Sequence, residues 1–309
     1  ERQVVNVADG TLGTDAVNLR QLNAAISGVG GGGPATRFYS VNSADAGAGN
    51  YGNDGATGTD ALAAGVDSAA SGNGSSAVGS RNRAAGNYSN AVGRQNTAGG
   101  ASSNAFGLAN NAGAGYSSAF GQGNTASNDG ATAFGLGNSV AGNYASAFGY
   151  ANTADGEGSS AVGNLNSSAG ESAVAFGINN HARTLASVAV GAGNLADGPV
   201  AMAFGTANTV TGTRSGAFGY ANEASGAYSS VLGVESRATA AYATALGYRA
   251  VADRDYSVAV GGPADLIPGF HAFFQDLDAA ERDRVWGATL PGGPAPGEDL
   301  LAVFDRHFD

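Results

Sequence analysis

The chain has no cysteine and no lysine, a single methionine and a single tryptophan, and only 13% charged residues over 309 positions. Without cysteine there is neither a disulfide framework nor a thiolate metal site, and an exported, oxidising setting is permitted. All fourteen basic residues are arginine, set against 25 acids for a net charge of −11. A general nucleic-acid or anionic-membrane binder needs a basic face to neutralise phosphate, so that class is set aside. Aromatics reach 8% while glycine supplies 52 residues, thin material for the interior of one large globule. Disorder fits no better, because it combines low hydrophobicity with high charge, and the apolar fraction here is 43%. There is no apolar run of membrane-spanning length and no signal peptide. The first residue is Glu1 rather than Met, which reads as a piece of a longer protein.

What the chain does have is repetition. "SNAFGLANNAGAGY" at 103–116 follows "SNAVGRQNTAGGAS" at 89–102 in nearly the same frame. Aligned on the glycine of Ala-(Val/Phe/Leu)-Gly, the anchors are Gly79, Gly93, Gly107, Gly121, Gly135, Gly149, Gly163, Gly177, Gly191, Gly205, Gly219, Gly233, Gly247 and Gly261, each fourteen residues from the last. A weaker copy ends at Gly65. A period that never slips is the mark of a solenoid whose units stack in identical register.

Within a unit, the residue before the anchor is apolar from Val78 to Val260, the one before that is Ala except for Val231, and the one four before is Ser or Ala. Asn stands three positions after the anchor eleven times running, including Asn82, Asn96, Asn110 and Asn124 and ending at Asn222. Two positions further on comes a small residue such as Ala84 or Ala98, and Gly often takes the seventh position, as at Gly86. Two strands of about five residues and two tight turns account for the unit, with Gly and Asn expected to supply positive φ at the corners. Such a coil encloses almost nothing. One apolar residue per coil contributes about 1.5–3 kcal/mol on burial, against about 1–2 kcal/mol per residue for ordering the backbone. Self-association along the strand face is therefore expected, most economically as a symmetric oligomer. At about 4.8 Å per coil the stack is a rod of roughly 70 Å.

"SSAVG", "ASAFG" and "SVAVG", in this fourteen-residue frame, resemble the repeat of the YadA-like head of trimeric autotransporter adhesins. "NVADGTLGTDAVNLRQLNAAI" at 6–26 resembles the same family's neck motif. The resemblance implies an all-β fold, a left-handed parallel β-roll, three such rolls in a homotrimer, and a place on the bacterial surface, anchored in the outer membrane by a segment not in this sequence. It also implies adhesion to matrix proteins such as collagen, fibronectin or laminin, with a purely structural spacer as the alternative. The expected organisation is a neck-like connector with a short helix over 1–27, a glycine-rich link over 28–37, the roll over 38–262 and an acidic helical extension over 263–309. Thr14 or Asp15 is expected to cap the neck helix, with Ala16, Leu19, Leu22 and Ile26 at helical spacing. The extension carries nine acids against three arginines and has two amphipathic stretches separated by a Pro/Gly break. It is expected to cap the open end of the roll, the alternative being a tail without structure.

Chemistry has no visible seat in this pattern. Eleven equivalent asparagines look like a structural corner, and the glycines precede no helix and so cradle no phosphate. His181 is expected on an outer turn without a second metal ligand. Asp155 with Glu157, and Asp253 with Asp255, do not recur in successive units as a calcium repeat would. No cofactor, metal or catalytic residue is therefore assigned. A left-handed β-helix acyltransferase would need coils of about eighteen residues, and an ice-binding solenoid a regular Thr row. The candidate contacts are on the surface, where the tyrosines suit either packing at subunit contacts or a sequence-tolerant sticky face for a fibrous partner, and the arginines either a charged binding patch or an ordinary solvated surface. Tyr88, Tyr116 and Tyr144 stand nine after the anchor on alternate coils, Tyr228, Tyr242 and Tyr256 on consecutive ones. Arg81, Arg83 and Arg94 lie on neighbouring coils as a candidate charged patch.

Overall fold

The computed structural model describes residues 7–12, 15–28, 47 and 49–261. The glycine-rich link beyond 28 and the expected helical extension over 263–309 lie outside them.

From Leu62 to Val260 the chain is a stack of parallel coils. Each full coil contributes a five-residue strand, such as Asn104–Leu108, to a 15-stranded parallel sheet. It contributes a two-residue strand, such as Asn111–Ala112, to a 14-stranded parallel sheet on the opposite side. Every pairing is offset by one period: Ala105 faces Ala119, Gly107 faces Gly121, and Asn111 faces Thr125. The fold is thus all-β, a parallel solenoid of fourteen-residue coils. The second strand is shorter than the expected five residues, because a tight corner precedes it and a wider one takes the remaining positions.

Strand alternation decides what points inward. The alanine two before each anchor and the small residue five after it face each other across the coil, and both columns, Ala77 to Ala245 and Ala70 to Ala252, are buried. Only Val140, Val210 and Val231 are larger among the fully buried apolar side chains. The apolar residue next to the anchor turns outward instead, so the interior is a seam of methyl groups.

The anchor glycine is required twice over. Gly107 has φ 117°, and a Cβ there would collide with the carbonyl oxygen of Gly121 in the next coil. The asparagines three after the anchor, in contrast to the expectation, do not supply positive φ, although Asn179 at a second-position corner does (φ 53°). Left-handed backbone falls at the second and ninth positions after the anchor, on Arg81 (φ 56°), Ala109 (55°), Tyr88 (59°) and Tyr116 (57°). The asparagines point into the coil. Asn124 Nδ2 donates to Asn110 Oδ1 at 3.0 Å, Phe120 O at 2.8 Å and Gly135 O at 2.7 Å, while its own Oδ1 accepts from the backbone N–H and Nδ2 of Asn138. This ladder gives the buried corner N–H of each following asparagine its acceptor and adds a side-chain donor to carbonyls of the adjoining strands. It runs from Asn82 to Asn222 and passes to Ser236, which donates to Gly247 O at 2.9 Å.

Near the N-terminus a helix, α1 (Leu19–Gly28), follows a knot of polar residues. Its cap is Asn18, not Thr14 or Asp15. Asn18 Oδ1 accepts the N–H of Gln21 at 2.9 Å, and Gln21 Oε1 accepts the N–H of Asn18 at 3.4 Å, a reciprocal capping box. Asp15 is otherwise engaged, accepting the N–H groups of Thr11 and Leu12; Thr14 lies outside the described residues. Asp9 accepts from Asn18 and Arg20.

Candidate functional site

Perfect register turns every outward position into a column running the length of the rod. The residue before the anchor forms the central column of the long sheet's outer face. Phe106 and Phe120 stack there with ring centroids 5.0 Å apart, as do Phe204 and Phe218 at 5.2 Å. Phe134, Phe176 and Leu232 are 54%, 53% and 58% exposed. Beside them, one position after the anchor, stand Leu136, Tyr150, Ile178, Tyr220, Val234 and Tyr248, also exposed. This second column was not singled out from the sequence, although its fixed place in the period was a signal that could have found it. The first column is apolar on every coil and the second on most, with Ser80, Arg94, Gln122, Asn164 and Thr206 interrupting it, so that together they make a largely apolar strip along one face of the chain.

The second column system lies at the wide corner. Tyr88, Tyr116 and Tyr144 are 69%, 74% and 72% exposed, each in the left-handed conformation that throws the side chain away from the roll. Glycine in the preceding coil leaves room for two of these rings: a Cβ at Gly74 would stand 2.9 Å from Tyr88, and one at Gly130 would stand 2.6 Å from Tyr144.

The arginines do not converge on one side of the roll. Arg94 ends a strand of the long sheet, Arg83 starts one of the short sheet, and Arg81 sits at the corner between two strands. Arg81 also pairs with Asp67 at 3.6 Å, one coil below. The other exposed pairs of the roll repeat this vertical rule: Arg183 with Asp197, Arg237 with Glu223, Arg249 with Glu235. The Glu235 carboxylate at 2.6 Å raises the pKa of Arg249. Exposed pairs of this kind are screened by solvent and contribute little to stability.

His181 is on a strand of the short sheet, His181–Ala182, rather than on a turn. Among the described residues no group of three His, Cys, Asp or Glu could hold a metal ion. The arrangement can pack against other surfaces and present rows of identical groups.

Those features define a fibrous, surface-presenting solenoid. Residues 3–46 match the family model of the coiled stalk of trimeric autotransporter adhesin, and residues 56–82, 112–138, 141–166, 168–194, 224–250 and 238–262 match the YadA head domain repeat. The chain belongs to the YadA-like trimeric autotransporter adhesins. The coils at 83–111 and 195–223, between matched segments, continue both sheets without a break. Residues 263–309 match a different model, the IcmF-related N-terminal domain. No curated protein matches the chain.

Proposed function

We propose that this chain is the head of a homotrimeric surface adhesin that attaches to host matrix proteins or cells by multivalent contact, without catalysis. The observation that carries the reading is the apolar strip on the long sheet. Leu, Phe, Val and Tyr side chains repeat there in register over successive coils, and a symmetric association of copies would cover them. Three rolls would then display their tyrosine corners in triplicate, so that weak sites add through effective concentration. Tyr88, Tyr116 and Tyr144 are the proposed contacts. Two coils separate them by about 9.6 Å at strand spacing, close to the ~9.3 Å turn of a polyproline II helix. That match supports an extended fibrous ligand, and collagen, fibronectin and laminin are the partners to try. Display on the bacterial surface, with an outer-membrane anchor beyond this sequence, belongs to the same proposal, as does the division into neck, link, roll and a distinct appended segment at 263–309.

A second reading, a spacer that holds another module away from the cell, is favoured by the sameness of the coils. The two separate on one experiment. Purified protein is bound to immobilised collagen, fibronectin and laminin, beside a variant with Tyr88, Tyr116 and Tyr144 all changed to Ser. Binding that falls sharply in the variant supports the adhesin. Absence of binding by both supports the spacer.

A further inference from the structure

The tyrosine column changes character along the rod. In the N-terminal half Tyr88, Tyr116 and Tyr144 are separated by Ser102 and Gly130, so no ring has a ring neighbour one coil away. In the C-terminal half Tyr228, Tyr242 and Tyr256 occupy three consecutive coils. Their backbones are superimposable in conformation, with φ 59°, 58° and 60°, and their rings therefore stack. Centroids are 4.9 Å apart for Tyr228 and Tyr242 and 4.8 Å for Tyr242 and Tyr256, with 2° between planes in both pairs. Arg214 closes the lower end, its guanidinium carbon 5.8 Å from the Tyr228 ring centroid and its Nη1 donating to the Tyr228 hydroxyl at 3.2 Å. The stack stays open to solvent: the three residues are 42%, 47% and 75% exposed. Tyr220 and Tyr248 share another column but have Val234 between them.

We propose that Tyr228, Tyr242 and Tyr256 form an oxidative modification site at which neighbouring rings couple to dityrosine. Each of two phenols loses one hydrogen atom, and the resulting radicals join by a carbon–carbon bond between ring positions ortho to the hydroxyls. The two displaced ring hydrogens return to the phenol oxygens. The oxidant is hydrogen peroxide, which takes up the two hydrogen atoms and leaves as two waters, with a haem peroxidase as the electron carrier. Coupling requires two radicals to meet, and rings held face to face on adjacent coils meet without diffusion. Competing sinks are scarce, since the chain has no cysteine and one methionine. The product is a covalent rung that ties one coil to the next across fourteen residues and opposes their separation.

The test uses the intact protein with peroxide and a haem peroxidase, followed by cleavage after arginine. Arg214, Arg237, Arg249 and Arg254 place the three tyrosines on three different peptides, so each linkage is read by mass spectrometry and fragment sequencing. Linkages 228–242 and 242–256 should predominate. Tyr242→Phe, which keeps a ring in the stack, should abolish both, and Tyr220→Phe should leave both. The same treatment in concentrated urea should disperse coupling over all tyrosines. Equal coupling of Tyr88, Tyr116 and Tyr144 within the folded chain, coupling only between molecules, or an unchanged pattern in urea would overturn the proposal.

Discussion

Asn124 shows what one position contributes in a stacked fold. Its side chain joins three coils through the hydrogen bonds described above, and an alanine there leaves the N–H of Asn138 buried without its acceptor and removes the amide donor to the strand carbonyls of Phe120 and Gly135. Each buried group left unpaired costs about 1–3 kcal/mol, so Asn124→Ala should lower the melting temperature markedly. Asn124→Ser should cost less, because Ser236 already continues the ladder. The opposite corner predicts the reverse. Ser89 Oγ is buried with no hydrogen-bond partner, and the equivalent position is alanine at Ala131, Ala145 and Ala173. Ser89→Ala should leave stability unchanged or raise it in the same thermal melt. Glycines divide likewise. Gly135→Ala meets the carbonyl of Gly149 and should destabilise, whereas Gly123 has open space around its missing Cβ and should tolerate Asn.

These positions were legible in the sequence because each is filled almost uniformly at a fixed place in the period. Ala105, Gly107 and Asn110 announce small size, unusual backbone and a repeated polar role without any coordinates. The facing of Phe106 was less legible: in a strand, an apolar residue beside an alanine reads alike whether it points in or out, and only the narrowness of the coil sends it outward. The left-handed corners were missed because Tyr88 and Arg81, which occupy them, carry no sign of positive φ in their chemistry.

The neck illustrates the same limit for a whole element. α1 was placed by its apolar spacing, but Asp15 competes with Asn18 for the cap on composition alone, and only the geometry shows Asp15 spent on Thr11 and Leu12. Asn18→Ala should therefore weaken the start of α1 by about 1 kcal/mol, read as faster amide exchange in its first turn. Acid should loosen the same segment. The Arg20 side chain and Asn18 hold the Asp9 carboxyl below its ordinary 3.8, and the backbone N–H groups of Leu12 and Thr11 do so for Asp15. A depressed folded pKa gives stability that is present above about pH 3.8 and is lost as the pH falls through the folded value. Exchange of the Thr11 and Leu12 amides, corrected for intrinsic rate, should rise as the pH drops below that point and stay level above it.

The complete rod joins a well-bonded interior to an apolar outer strip. Each coil spends its backbone hydrogen bonds on its two neighbours and buries little beyond methyl groups, so the larger hydrophobic contribution rests on the strip of Phe134, Leu136, Phe176, Ile178 and their equivalents, which a single chain leaves in water. If sister chains cover that strip, charge placed on it should separate them. Phe134→Asp combined with Phe176→Asp should convert a trimer into smaller species with a lower melting temperature. The decisive measurement is the mass of the unmodified protein in dilute solution by light scattering, followed over falling concentration together with its β-sheet circular dichroism. Three times the 30.0 kDa chain, with the β signal lost as the trimer dissociates, is the expected result; a 30.0 kDa particle that keeps its full β signal at high dilution would contradict it.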